Sequence, residues 1–337
     1  MKKWLHDSMS GKCMISAALL ALMMPALAAA QNSSPYRVTG ETGTVHIYPT
    51  PELSRQIKAE RGLAPGVLVY HGGPVMTGVS LYAIFWIPAK LQNGNATSLS
   101  AKYQGVAKNF LSDYPDHGIA NNSTQYYSTT SGTKYFVGRG GFVAFYVDAN
   151  PYPASACTDT VTPGNCITDA QLQAEISKVM TLKGWTPALN KMFLVFTSTG
   201  EGSCSDSTSA SCAYTQYCAY HGWFGSSTTP TIYANQPYAD PNFCYSLGTG
   251  QTAPSGDQAS DANVNVTSHE ITEANTDPEL NAWWDSGNGE EIGDLCAWSF
   301  GTNTWDAGLA NQMWNGRFYD LQLEYDNHTS GCVQVGP

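Results

Sequence analysis

The chain has 337 residues, with 16 Lys and Arg against 27 Asp and Glu, a formal net charge of −11, and only 13% charged residues. This length suffices for one large core or two small ones, and the richness in Gly, Ser, Thr, Asn and aromatics excludes a disordered chain. Its acidity excludes the concentrated Lys and Arg that a phosphate backbone requires, so nucleic acid is not an expected partner.

Residues 1–30 read as a secretory signal: Lys2, Lys3 and Lys12 precede a short apolar run, Met14 to Leu27, with small-residue cleavage sites near Ala28 and Ala30. Removing Lys2, Lys3, Lys12 and Asp7 takes the net charge from −11 to −13. No later stretch is apolar enough to span a bilayer, so a secreted chain free of the membrane, and a monomer, is expected. Residues 31–64 are polar and mixed, and read as an N-terminal extension and candidate propeptide. Val67 to Tyr70 reads as a strand closed by His71-Gly72-Gly73-Pro74, and Val79 to Ile87 as a second strand ended by Pro88. Residues 98–115 show helical spacing, and Gly141 to Asp148 reads as a strand. Thr168 or Asp169 caps a helix running to Lys183. Met192 to Thr197 is a buried strand; residues 198–230 read as a Ser, Thr, Gly and Cys-rich loop. Thr231 to Asn235 reads as an edge strand, Asn263 to Thr276 as a helix closed by Pro278, and the region from Tyr319 to Tyr325 as strand. With no repeat or linker in view, residues 65–337 read as one α+β domain with a mixed, mostly antiparallel sheet and disulfide-stapled loops.

Eight cysteines remain after the signal, an even number that suggests disulfides in a secreted chain. Nearest-neighbour pairing, Cys157–Cys166, Cys204–Cys212, Cys218–Cys244 and Cys296–Cys332, is the simplest scheme. A Cys-rich zinc site is disfavoured because no Cys-x-x-Cys pair occurs.

The stretch that carries chemistry is His269-Glu270-Ile271-Thr272-Glu273, followed by Glu291-Ile292-Gly293-Asp294. A His-Glu-x-x-His helix places two metal ligands on one face with a glutamate beside them as general base. Here Glu273 stands at the second ligand position. His269 and Glu273 are therefore candidate ligands and Glu270 the candidate base. Glu-zincin peptidases take a third ligand from a Glu at a comparable distance downstream. Glu291 is preferred here as ligand with Asp294 orienting His269; the reverse order, or Asp277 or Glu279, competes. One zinc per chain is expected, and the carboxylate-rich donor set also suits calcium, magnesium or manganese.

The blocks His269-Glu270-x-x-Glu273, Asn281-Ala282-Trp283-Trp284 and Glu291 to Cys296 resemble the C-terminal block of the plant exordium, or phosphate-induced protein, family. Tyr70 to Val75, Tyr82 to Lys90, Phe193 to Ser198 and Tyr217 to His221 resemble earlier family segments in the same order, over roughly residues 67–300. The resemblance implies a secreted protein of the extracellular matrix, and the signal and extra Cys suggest a bacterial-type member. The retained HExxE and EIGD elements make a zincin-like metal-dependent hydrolase, a zinc endopeptidase acting on extracellular protein or peptide, the leading expectation. Substrate would add to the strand holding Tyr233, and His221, Tyr220, Tyr319 or His328 would stabilise the oxyanion. The alternatives are a non-catalytic extracellular binding or signalling protein and a glycosidase using Glu270 with Glu291. For the latter, Trp283 and Trp284 would stack a sugar, though core packing is the commoner use.

Overall fold

Beyond Met1, the computed structural model describes residues 34–61, 66–245, 252–302 and 309–337. The expected signal lies outside the described residues. The centre is a seven-stranded mixed sheet of β1 (Arg37–Gly40), β2 (Gly43–Pro49), β3 (Gly78–Trp86), β4 (Arg139–Asp148), β5 (Lys191–Thr197), β6 (Tyr217–Ser226) and β7 (Thr229–Gln236). Their spatial order is β1-β2-β6-β7-β5-β3-β4. From β1 to β7 neighbours run antiparallel, and from β7 to β4 they run parallel. With the small two-stranded pairs included, antiparallel pairings outnumber parallel ones among the described residues, whereas the central sheet itself is evenly divided.

The longer helices are α1 (Pro51–Arg61), α2 (Ala101–Asp113), α3 (Asp169–Lys183) and α4 (Gln258–Thr276). Leu81, Ala83 and Phe85 of β3, Leu194 and Phe196 of β5, and Ile232 and Ala234 of β7 share one core with residues of α2 and α4. The intervening Tyr82, Ile84, Phe193 and Val195 pack with Leu172, Ile176 and Val179 of α3. A strand covered on both faces cannot alternate apolar with polar, which is why β3 and β5 read as continuous apolar runs. Each fully buried Leu, Val or Phe contributes about 1.5–3 kcal/mol. α3 begins at a capping box, in which the Thr168 and Gln171 side chains satisfy each other's backbone N–H groups. It stops at Gly184, whose φ of 66° is the left-handed conformation that glycine adopts without Cβ strain. All four nearest-neighbour disulfides are present.

Four expectations are corrected. The segment expected as an extension supplies β1, β2 and α1, and the described residues from Ser34 to Pro337 belong to one compact unit. β2 hydrogen-bonds to β1 on one side and β6 on the other, and Tyr36, Val45, Ile47 and Tyr48 are buried. The expected loop 198–230 contains β6, whose apolar alternation is interrupted by Gly222 and Gly225. Thr231 to Asn235 is no edge: β7 lies between β6 and β5, so its backbone groups are already paired. α4 begins at Gln258 rather than Asn263, where Asp257 accepts a hydrogen bond from Ser260 Oγ at 2.8 Å.

Candidate metal centre

α4 packs against β6, β7 and β2. Every residue from Ala259 to Thr276 is buried. A helix buried all round is normally apolar all round, yet this one encloses Asn265, Ser268, His269, Glu270, Glu273 and Asn275. Glu273 lies four residues after His269 and three after Glu270, so it neighbours both on the helix surface, and Glu270 and Glu273 meet His221 in the antiparallel half of the sheet. There β2 and β6 place His46 and His221 directly opposite each other, with ring centroids 5.6 Å apart. Residues 290–296 close the third side with Glu291 and Asp294.

Three imidazoles and four carboxylates thus meet, each side chain 0% exposed. His46 Nε2 lies 2.6 Å from Asp294 Oδ2, and His46 Nδ1 lies 3.1 Å from Glu291 Oε1. His221 Nδ1 is 3.2 Å from Glu270 Oε2 and 3.5 Å from Glu273 Oε2. His269 Nε2 is 3.0 Å from Glu273 Oε1 and 3.8 Å from Asp294 Oδ1. Three donor triads result, each within 4.8 Å: His46–Glu273–Glu291, His221–Glu270–Glu273 and His269–Glu273–Asp294. Glu273 belongs to all three. Neither of its oxygens has an aligned hydrogen-bond partner, nor has Glu270 Oε1.

Neighbouring side chains hold these donors in place. Tyr48 stacks on His269 at 3.7 Å between centroids and donates its hydroxyl hydrogen to Gln322 Oε1 at 2.5 Å. Gln322 Nε2 donates to Gly293 O at 2.9 Å, and the same side-chain amide lies 2.9 Å from His269 Nδ1, so that Nε2 is the ring nitrogen facing the cluster. The glycine of the EIGD element has a steric reason: a Cβ on Gly293 would lie 2.5 Å from His269 Nδ1 and 3.0 Å from Glu273 Oε1. The Cys296–Cys332 disulfide ties the strand Gly331–Val333 to the turn bearing Asp294. Arg37 lies 3.1 Å from Asp277 and 3.6 Å from Glu291, and its guanidinium covers Trp284 at 4.1 Å.

Burial sets the electrostatics. It pushes Glu270, Glu273 and Glu291 well above the usual carboxylate range. Nearby Asp294 adds to the effect at Glu270 and Glu273, and Asp277 at Glu291. It holds His46, His221 and His269 well below the usual imidazole range. Uncharged imidazoles and closely packed carboxylates are the donor types that divalent cations select.

The candidates His269, Glu270, Glu273, Glu291 and Asp294 all converge here, and His221 joins them as a potential ligand. Tyr233 does not: its hydroxyl donates to Asp169 at 2.7 Å on the α3 side of the sheet. Tyr220 likewise bonds Asp169, Tyr319 bonds Asp113, and His328 is exposed. Asp277 is taken by Arg37, and Glu279 lies outside the donor triads. Trp283 packs in an aromatic core and Trp284 stacks on His71 at 3.5 Å as well as under Arg37, so neither is free for a sugar. His46 escaped the sequence reading. Its signal was the alternation Val45-His46-Ile47-Tyr48, which puts His46 and Tyr48 on one face of a strand.

No protein-family model matches the chain, and no solved structure matches it. A curated relative, Protein EXORDIUM-like 5 of Arabidopsis thaliana, is 25% identical over 256 residues, which is 70% of this chain. The match spans 65% of that relative's own length. The similarity supports an exordium-like family. The four disulfides are compatible with a secreted protein. Among the described residues no helix is long and apolar enough to cross a membrane.

Proposed function

We propose that this chain is a secreted metal-dependent hydrolase, a zinc endopeptidase of zincin-like design acting on extracellular protein or peptide. The observation that carries the proposal is the convergence of His46, His221 and His269 with Glu270, Glu273, Glu291 and Asp294 in one enclosed cluster. Isolated, such a set is costly to bury; around a divalent cation, its donors are used. A bound zinc would polarise a scissile carbonyl and acidify a water. Glu270, beside His221 Nδ1, would take that water's proton, and its burial-raised affinity for a proton suits a base that must hold one. Glu273 and the three imidazoles would hold the metal, with Gln322 and Tyr48 orienting His269. Arg37 also lines an open cleft of about 610 Å³ with Thr44, Trp223, Glu279 and Leu280. Substrate would approach through that cleft, with Arg37 withdrawn from Glu291. The strand-addition route is not retained, because β7 is an interior strand.

Full burial of the cluster favours a second reading, an extracellular binding protein held together by its metal and without turnover. The test is digestion of casein by the secreted wild type and by Glu270→Gln, each with and without chelator and zinc re-addition. The hydrolase reading expects chelator-sensitive cleavage that E270Q lacks while still binding metal. Metal without cleavage would leave the second reading; a folded protein that never binds metal would end both.

A further inference from the structure

The donor set is too large for one ion. Zinc in proteins is almost always held by four ligands, three of them from the protein where a position stays open for water. Seven side chains converge here, and the triads do not coincide: beside Glu273, one holds His269 and Asp294, another His46 and Glu291, and the third His221 and Glu270. The only residue common to all triads is Glu273, and both of its oxygens are buried without an aligned partner. One oxygen, Oε1, faces His269 at 3.0 Å, while the other, Oε2, faces His221 at 3.5 Å and His46 at 3.9 Å. A carboxylate whose two oxygens address different imidazoles has the form of a bridge.

Charge points the same way. The four cluster carboxylates, if ionised, carry four negative charges, and Arg37 is already shared with Asp277. One divalent cation balances only two of these charges, and the other two carboxylates would then be held protonated, not used as donors. Two divalent cations neutralise the set.

Resting on the metal-centre reading above, we propose that the cluster is a dinuclear site in which Glu273 bridges two divalent cations. One is held by His269 and Asp294, the other by His46, His221 and Glu291, and Glu270 stays beside His221 as the base. Paired ions of this kind clamp both the attacking and the leaving oxygen in hydrolytic sites.

The experiment is zinc stoichiometry of the full secreted chain, by elemental analysis after desalting and by mass spectrometry under non-denaturing conditions. A graded chelator titration on wild type, Glu273→Gln and Asp294→Asn follows. Two zinc ions per wild-type chain are expected. E273Q should release both ions at a chelator concentration on the order of tenfold lower or more, whereas D294N should weaken one ion and leave the other near its wild-type midpoint. One zinc per wild-type chain overturns the dinuclear assignment and leaves the metal centre standing; none overturns both. Should E273Q fail to fold, the wild-type count and the D294N titration still decide. A folded E273Q that keeps two ions with an unchanged midpoint refutes the bridge.

Discussion

The two halves of the central sheet face the same helical layer but bury opposite kinds of side chain. In the parallel half, β5 and β3 present Leu194, Phe196, Leu81, Ala83 and Phe85 to α2 and α4, and burial itself stabilises. In the antiparallel half, β2 and β6 present His46 and His221 to His269, Glu270 and Glu273, and burial costs. The same architecture thus spends in one half what it gains in the other, and in the proposed reading a bound cation would offset that cost.

The largest way to break this contrast is to remove residues 31–64. That deletion strips β1, β2 and α1, uncovers the β6 edge and takes away His46. The account predicts no cooperative thermal transition and no metal uptake, a loss exceeding the roughly 5–15 kcal/mol that holds a typical domain together. A folded, metal-loaded product starting near residue 65 would show that the antiparallel half is dispensable.

Next comes Phe85→Ala in the apolar half. Phe85 is fully buried and stacks on Phe196 at 5.0 Å, so the substitution should cost about 3–5 kcal/mol. Denaturant titration should give the same loss with and without chelator. A loss that changes with chelator would mean the two halves are not energetically separate.

Metal removal probes the other half alone. At a free metal concentration a thousandfold above Kd, binding contributes about 4 kcal/mol. For a chain of this size chelation should then lower Tm by on the order of 10 °C. Re-added zinc should restore it. An unchanged Tm in a chain shown to have lost its metal would contradict the claim that the cation offsets the buried charge.

A pH dependence locates a buried carboxylate outside the cluster. Glu201 is fully buried, accepts a hydrogen bond from Gln92 at 2.8 Å, and is pushed by burial up to about 8. A raised folded-state value means its contribution is fully present below about pH 4.5 and is lost as pH rises through about 8. Glu201→Gln should therefore match wild type near pH 4.5 and be the more stable near pH 9, by up to about 5 kcal/mol if the whole shift is expressed. Thermal melts across that range would show it; parallel curves would mean Glu201 is ionised without penalty.

What the sequence made legible follows from how local each signal is. Continuous apolar runs marked β3 and β5, and Thr168 or Asp169 marked the start of α3, because strand burial and capping are written within a few residues. Short separations paired the cysteines. Glu270, Glu273, Glu291 and Asp294 stood out because the motif spacing is itself local. His46 did not, because a histidine within an alternating strand reads as ordinary core until the fold brings it against Asp294, 248 positions away. His221 was read as a substrate contact for the same reason: its register opposite His46 is a property of the sheet, not of β6. Tyr233 failed because one-residue alternation sends it to the far face.

The most direct measurement is anomalous diffraction from crystals of the zinc-loaded chain, collected on both sides of the zinc absorption edge. The account predicts anomalous peaks within about 2.0–2.2 Å of the imidazole nitrogens and carboxylate oxygens of the cluster, with Glu273 in contact. Well-ordered side chains in the same arrangement with no peak among them would contradict it.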